Sequence, residues 1–301
     1  MASPESRALR ATFGSDVNPP EVTPATLRQE WEAAVAHVEL PPGITITPAV
    51  AGGVDAAWVE SAAAESSRVL LFLHGGGFNS GSWFTHRGLA TRLALASGAR
   101  LLLLNYRLAP EHPCPAAIED AAAGYQWLLA QGYDPAQIVI GGDSAGGGLA
   151  LATLVWLRDH GLPLPAAGVL LSPWVDLTMS GASVQSRAAI DPLTTLRGFQ
   201  RAAAWYVGAG DLKQPLASPL YADLHGLPPL LIQVGDHELL LSDATRLAEQ
   251  ARAAGVEVTL EVWDEMWHVW QAWAGALPEG RQAIERIGAF VQRALKCQAP
   301  A

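Results

Sequence analysis

The chain has 301 residues, half of them hydrophobic, enough for one large α/β domain or two small ones. Its formal charge of −10 opposes nucleic acid and anionic membrane surfaces as partners. The two cysteines, Cys114 and Cys297, stand in neither C-x-x-C nor metal-ligand spacing, and are expected as reduced thiols of a cytoplasmic protein.

The opening Met1-Ala2-Ser3-Pro4-Glu5 lacks the apolar stretch of a signal peptide. Residues 1 to about 40 carry an amphipathic helix with Leu27, Trp31, Val35 and Val38 on one face, and Thr23-Pro24 as its start. Ile44–Val50 and Val54–Val59 alternate in polarity and read as antiparallel strands at one edge of a sheet. Continuous apolar strands follow at Val69–Leu73, Leu101–Leu104, Ile138–Ile140, Val169–Leu171, Leu230–Val234 and Val256–Val262. Helical patterns separate most of them: Leu89–Ala96, Ala116–Leu129, Gly146–Arg158, Asp243–Ala254 and Arg281–Leu295. The alternation predicts a mostly parallel sheet buried on both faces. No run is long enough to span a bilayer; Arg100 and Asn105 bracket the best one. From about Val175 to Leu216 the alternation breaks, and Trp205 and Tyr206 lie on a helical stretch of this insertion. An insertion of that length between sheet elements often forms a lid.

Chemistry concentrates in Gly142-Asp143-Ser144-Ala145-Gly146, between the Ile138 strand and a helix. A strand, a sharp turn with serine at its tip and a helix form the G-x-S-x-G nucleophile elbow. A serine hydroxyl needs a base, and the base an orienting acid, in the chain order serine, acid, histidine. His268 follows the last strand and fits the base; His225 and His237 lie too early. The acid belongs to Gly235-Asp236-His237-Glu238. Glu238 is favoured over Asp236, because it sits beyond the tight turn and its longer side chain reaches further. Asp243 reads as a charge at the N-terminus of the next helix. His74-Gly75-Gly76-Gly77 follows the Val69 strand and leaves bare amides for an oxyanion, with the amide of Ala145 as the third donor. Asp143 and Asp120 are read as structural, tying down the elbow and the loop behind it. Trp83, Phe84, Trp263, Met266, Trp267, Trp270 and Trp273 are expected to crowd the site and limit acyl length. Activity is expected to fall as His268 protonates, near pH 6.5 or somewhat below.

Together His74-Gly75-Gly76-Gly77 and Gly142-Asp143-Ser144-Ala145-Gly146-Gly147 resemble the hormone-sensitive-lipase-like family of bacterial esterases. Tyr106-Arg107-Leu108-Ala109-Pro110-Glu111, Pro115-Ala116-Ala117-Ile118-Glu119-Asp120 and Ser218-Pro219-Leu220 match its pattern, and the likeness runs from about residue 68 to 295. The resemblance implies an α/β-hydrolase core of eight mostly parallel strands with helices on both faces. It also implies a helical cap, which gives 1–40 and 175–216 as cap and 41–174 and 217–301 as core. It implies a carboxylesterase acting on short acyl esters, with Ser144 as nucleophile, His268 as base, and Gly76, Gly77 and Ala145 as oxyanion donors. The family most often carries Asp-Pro-Leu in the acid loop. This chain has Glu238-Leu239-Leu240, so the acid stays open between Glu238 and Asp236. The expected partner is a small-molecule ester, with no metal, cofactor, nucleic acid or membrane. The Val256 strand, read as a sheet edge, points to a homodimer. An amidase, lactonase or deacetylase would use the same machinery. A non-catalytic ligand-binding relative would be expected to have lost Ser144 or His268, and both are present.

Overall fold

The computed structural model describes residues 2–13 and 22–296; Cys297 lies outside the described residues. Eight strands make one sheet: β1 (Ile44–Ala51), β2 (Val54–Ser61), β3 (Glu65–Leu73), β4 (Ala99–Leu104), β5 (Ile138–Asp143), β6 (Ala167–Leu171), β7 (Leu230–Gly235) and β8 (Val258–Trp263). Their spatial order is β1-β2-β4-β3-β5-β6-β7-β8. The pairs β1–β2 and β2–β4 are antiparallel, and every other pair is parallel. The alternating segments thus form the antiparallel edge, and the apolar runs form the parallel interior.

The helices are α1 (Pro4–Arg10), α2 (Pro24–Val35), α3 (Trp83–Ser97), α4 (Ala116–Ala130), α5 (Ala145–Asp159), α6 (Ser183–Ser186), α7 (Leu196–Val207), α8 (Leu241–Ala253) and α9 (Pro278–Lys296). Successive strand residues feed opposite faces, as the two-residue period requires. Val69, Leu71 and Leu73 join the core under α4, α5 and α8. Leu70 and Phe72 join the core under α3 and α9. Each of these leucines is fully buried and contributes roughly 1.5–3 kcal/mol.

Several boundaries differ from the sequence reading, each for a local reason. Helix α3 starts at Trp83, six residues before the apolar pattern, because Ser82 and Thr85 form a reciprocal capping box. Strand β8 starts at Val258, because the Val256 amide is taken by Ala251 at the end of α8. Helix α1 is an addition. Ser3 caps it and Pro4 occupies its first turn, a start signal present in the sequence. Helix α2 begins at Pro24, with Thr23 accepting from the Thr26 amide. Among the described residues, no helix is long and apolar enough to cross a membrane.

Candidate active site

Strand β5 delivers Ser144 to the carboxyl end of the sheet, where open parallel sheets place their sites. The turn is held by crowding. A Cβ on Gly142 would lie 2.2 Å from the Gly146 carbonyl oxygen, and one on Gly146 would lie 2.0 Å from that of Leu73. Only glycine fits at either position. Ser144 itself sits at φ 54°, ψ −121°, a conformation that costs a non-glycine residue free energy and recurs at functional sites. Its amide donates to Leu171 O at 2.8 Å, and its carbonyl accepts from the Trp174 amide at 3.0 Å.

The hydroxyl of Ser144 lies 2.8 Å from Nε2 of His268. Nδ1 of the same ring lies 2.7 Å from Oε2 of Glu238. A neutral imidazole in this chain donates from Nδ1 to the carboxylate and accepts from the hydroxyl at Nε2. Glu238 is fully buried. Its Oε1 accepts from the Gly235 amide at 2.7 Å and from the Ser172 hydroxyl at 2.8 Å. The Ser172 hydroxyl also accepts from the Val269 amide at 3.1 Å. One side chain at the end of β6 therefore holds both the acid and the residue after the histidine. Asp236, the other acid weighed, turns away and accepts from the Glu265 amide at 2.6 Å.

Burial alone would lower the proton affinity of His268. The hydrogen bond and charge of Glu238, with the charges of Asp191 and Asp143, outweigh it, and the pKa ends above the ordinary 6.5. This reverses the sequence expectation of a value at or below 6.5, because the carboxylates together outweigh burial, the largest single influence. The other histidines fall away from this role. Burial and the neighbouring His86 pull His74 down to about 3. His225 pairs with Asp223 on the surface. His237 faces Arg10, with Nη1 and Nδ1 2.6 Å apart.

Gly76 and Gly77 follow β3 and line the same cavity as Ser144 and His268. Gly76 has φ 116°, and a Cβ there would lie 2.3 Å from the Ser80 carbonyl oxygen. Ala145 opens α5, so its N–H belongs to the first turn, where helices leave amides without an intrahelical acceptor. The glycine loop is pinned from behind. Oδ1 of Asp143 accepts from the Gly75 amide at 3.1 Å, and Oδ2 lies 3.4 Å from Nε2 of His86. Tyr106 donates to His74 O at 2.6 Å. Asp120 holds the next residue, accepting from the Arg107 amide at 2.7 Å and from its Nε at 2.9 Å.

The cavity measures about 680 Å³, within the usual range for small-molecule sites. Leu27, Trp31, Val35 and Val38 of α2 and its C-terminal extension form one wall. Phe199, Ala202 and Trp205 of α7 form the other. Of the aromatic residues expected at the site, Trp273 reaches the cavity. Met266, Trp267 and Trp270 are fully buried in a small cluster beneath the histidine loop, with Trp263 packed against it. Trp83 packs on the core under α3 and α9, and Phe84 lies under the Arg87 guanidinium at 3.8 Å. Neighbours in sequence of a site residue point to the core as readily as to the cavity. Beside Trp273, the aromatic lining comes from Trp31, Phe199 and Trp205, supplied by two helices remote in the chain. His86 and Ser172 escaped the sequence reading. The position of Ser172 at a strand's carboxyl end was the available signal. Among the described residues, no group of His, Cys, Asp or Glu side chains converges as a metal site would need.

A parallel sheet with a serine elbow, a histidine after the last strand and a glycine loop after β3 defines an α/β-hydrolase. Residues 70–272 match the sequence profile of a family described as alpha/beta hydrolase fold. An acetyl-hydrolase from Streptomyces hygroscopicus is 46% identical over 297 residues, 98% of each chain. An esterase from Acinetobacter venetianus is 38% identical over 83% of this chain and 82% of its own. The crystal structure of an esterase from the bacterial hormone-sensitive lipase family superposes with a TM-score of 0.95 at 48% identity, covering 98% of this chain and 99% of that one. The chain belongs to the hormone-sensitive-lipase-like family of bacterial carboxylesterases.

Proposed function

We propose that this carboxylic ester hydrolase works through Ser144 as nucleophile, His268 as general base and acid, and Glu238 as the orienting carboxylate. Ser144 Oγ bonds to the ester carbonyl carbon while its proton passes to Nε2 of His268. The amides of Gly76, Gly77 and Ala145 receive the oxyanion. The imidazolium then returns its proton to the departing alcohol. Water repeats the sequence on the acyl-enzyme and frees the acid and Ser144. The observation that carries the assignment is the unbroken hydrogen-bond chain from Ser144 through His268 to Glu238.

In this reading the segments 1–40 and 175–216, as far as their residues are described, form a cap over a core of 41–174 and 217–301; residues 1, 14–21 and 297–301 of these segments lie outside the described residues. The two-walled cavity supports it, since its walls come from those two segments. The substrate is a small ester with a short acyl group, a reading favoured by the acetyl-hydrolase relative and by the aromatic walls. The exposed edge of β8, with Val262 at 47% exposure, favours a homodimer. The free Cys114 thiol favours a cytoplasmic enzyme.

The test combines an alkylphosphonate label with a series of p-nitrophenyl esters of two to sixteen acyl carbons and a matched anilide. One equivalent of label on Ser144, with fastest turnover on the short esters, is expected. A faster anilide would favour amidase chemistry. Labelling at a different residue would remove the assignment.

A further inference from the structure

The insertion does more than wall the cavity: it grips the residue that follows the acid. The main-chain N–H of Leu239, next to Glu238, donates to Oδ2 of Asp191 at 2.9 Å. The carbonyl of Leu239 accepts from the Ser183 hydroxyl of α6. Oδ1 of Asp191 accepts from the amides of Leu193 and Thr194, both at 2.9 Å, and Oδ2 also accepts from the Thr194 hydroxyl. Leu193 and Thr194 line the cavity. Arg10 of α1 reaches the same place, donating to the Ile190 carbonyl and contacting His237 in the acid loop.

Resting on the esterase reading above, we infer that Asp191 is a positioning residue for the hydrolysis. Its carboxylate joins the cavity wall to the acid loop, so that Glu238 and His268 are aimed only while the wall stands in place. A wall displaced by substrate entry would pull on Leu239, and through it on the acid. Asp191 also adds to the proton affinity of the base, after the larger effect of Glu238. Three carboxylates bear on His268: Glu238 from the acid loop, Asp191 from the insertion and Asp143 from the nucleophile turn. Arg10 is bonded to the preceding carbonyl, and the Asp191 amide donates to the Arg187 carbonyl at 2.9 Å. His237, in the acid loop, contacts Arg10 in turn.

The test is the pH profile of kcat/KM, from pH 5 to 9, for the wild type, Asp191→Asn and Asp191→Glu. Asp191→Asn keeps an acceptor and loses the charge. Its acid limb should move down by roughly 0.3–1 pH unit, with kcat lowered about three- to thirtyfold and KM little changed. Asp191→Glu keeps the charge and displaces it. Its limb should stay near the wild type while kcat falls. A merely structural Asp191 would lower the melting temperature of both variants and leave both limbs where they were, and that result overturns the proposal. Failure of both variants to fold makes the residue architectural and overturns it too. Phosphonate labelling runs alongside. A wild type that is neither labelled at Ser144 nor active refutes the esterase reading. A labelled, active wild type with unmoved limbs refutes only the role of Asp191.

Discussion

The two halves of the site are built in opposite ways. The nucleophile turn is fixed by exclusion: Gly142 and Gly146 leave no room for a Cβ, and Ser144 is held at positive φ. The acid–base half is fixed by attachment. Ser172 and Asp191, from two separate segments, and Gly235, within the loop itself, tie Glu238 and its neighbour by hydrogen bonds. A turn held by crowding is stiff and local. A loop held by attachment can be tuned one bond at a time.

Substitutions can break that contrast. The largest effect belongs to the stiff half. Ser144→Ala should lower kcat by roughly 10³–10⁶ with little change in melting temperature, read by ester turnover and calorimetry. In the attached half, Glu238→Gln should cost about 10²–10⁴ in kcat, since the amide cannot hold the imidazole tautomer or stabilise its cation. Asp236→Asn should stay within about threefold, because Asp236 serves the Glu265 amide and faces His237, away from His268. Equal losses in the two would reverse the assignment of the acid. Ser172→Ala removes one tie from Glu238 and leaves the buried Val269 amide without its acceptor. It should cost roughly tenfold in kcat and about 1–3 kcal/mol of stability, measured by kinetics and denaturant unfolding.

The smallest effect is a displacement in pH. In the proposed mechanism His268 must be neutral to accept the serine proton, and the carboxylates around it raise its pKa above the ordinary 6.5. The kcat/KM profile should therefore bend downward already above pH 6.5 and fall about tenfold per unit below the bend. Stability runs the other way. The proton that the fold favours on His268 adds stability fully present below pH 6.5 and lost as pH rises through the raised value. A bend below pH 6 would show that burial outweighs the three carboxylates.

What the sequence revealed follows the same division. The elbow, the glycine loop and the parallel strands are legible because each is set by contiguous residues: Gly142 to Gly146, His74 to Gly77, and runs such as Leu101–Leu104. The place of His268 follows from chain order. The acid loop resisted, since Asp236 and Glu238 differ only in which way the chain turns after Gly235. That turn is decided by Ser172 and Asp191, which are 66 and 48 residues from their partners in this loop. The aromatic wall resisted for a like reason. Trp267 and Trp270 stand beside His268 in sequence and face inward. Trp31 and Phe199 are far away and face the cavity.

Helix α2 has no fully buried residue, although its apolar side is continuous along Leu27, Trp31 and Val35. That side looks into the reaction chamber, not into a core. Trp31 meets the His86 ring of α3 at 5.2 Å, and in the proposed function an ester seated along this side would extend that packing and become, briefly, part of the scaffold. Turnover on that proposal would remove a piece of the wall that the next substrate has to restore.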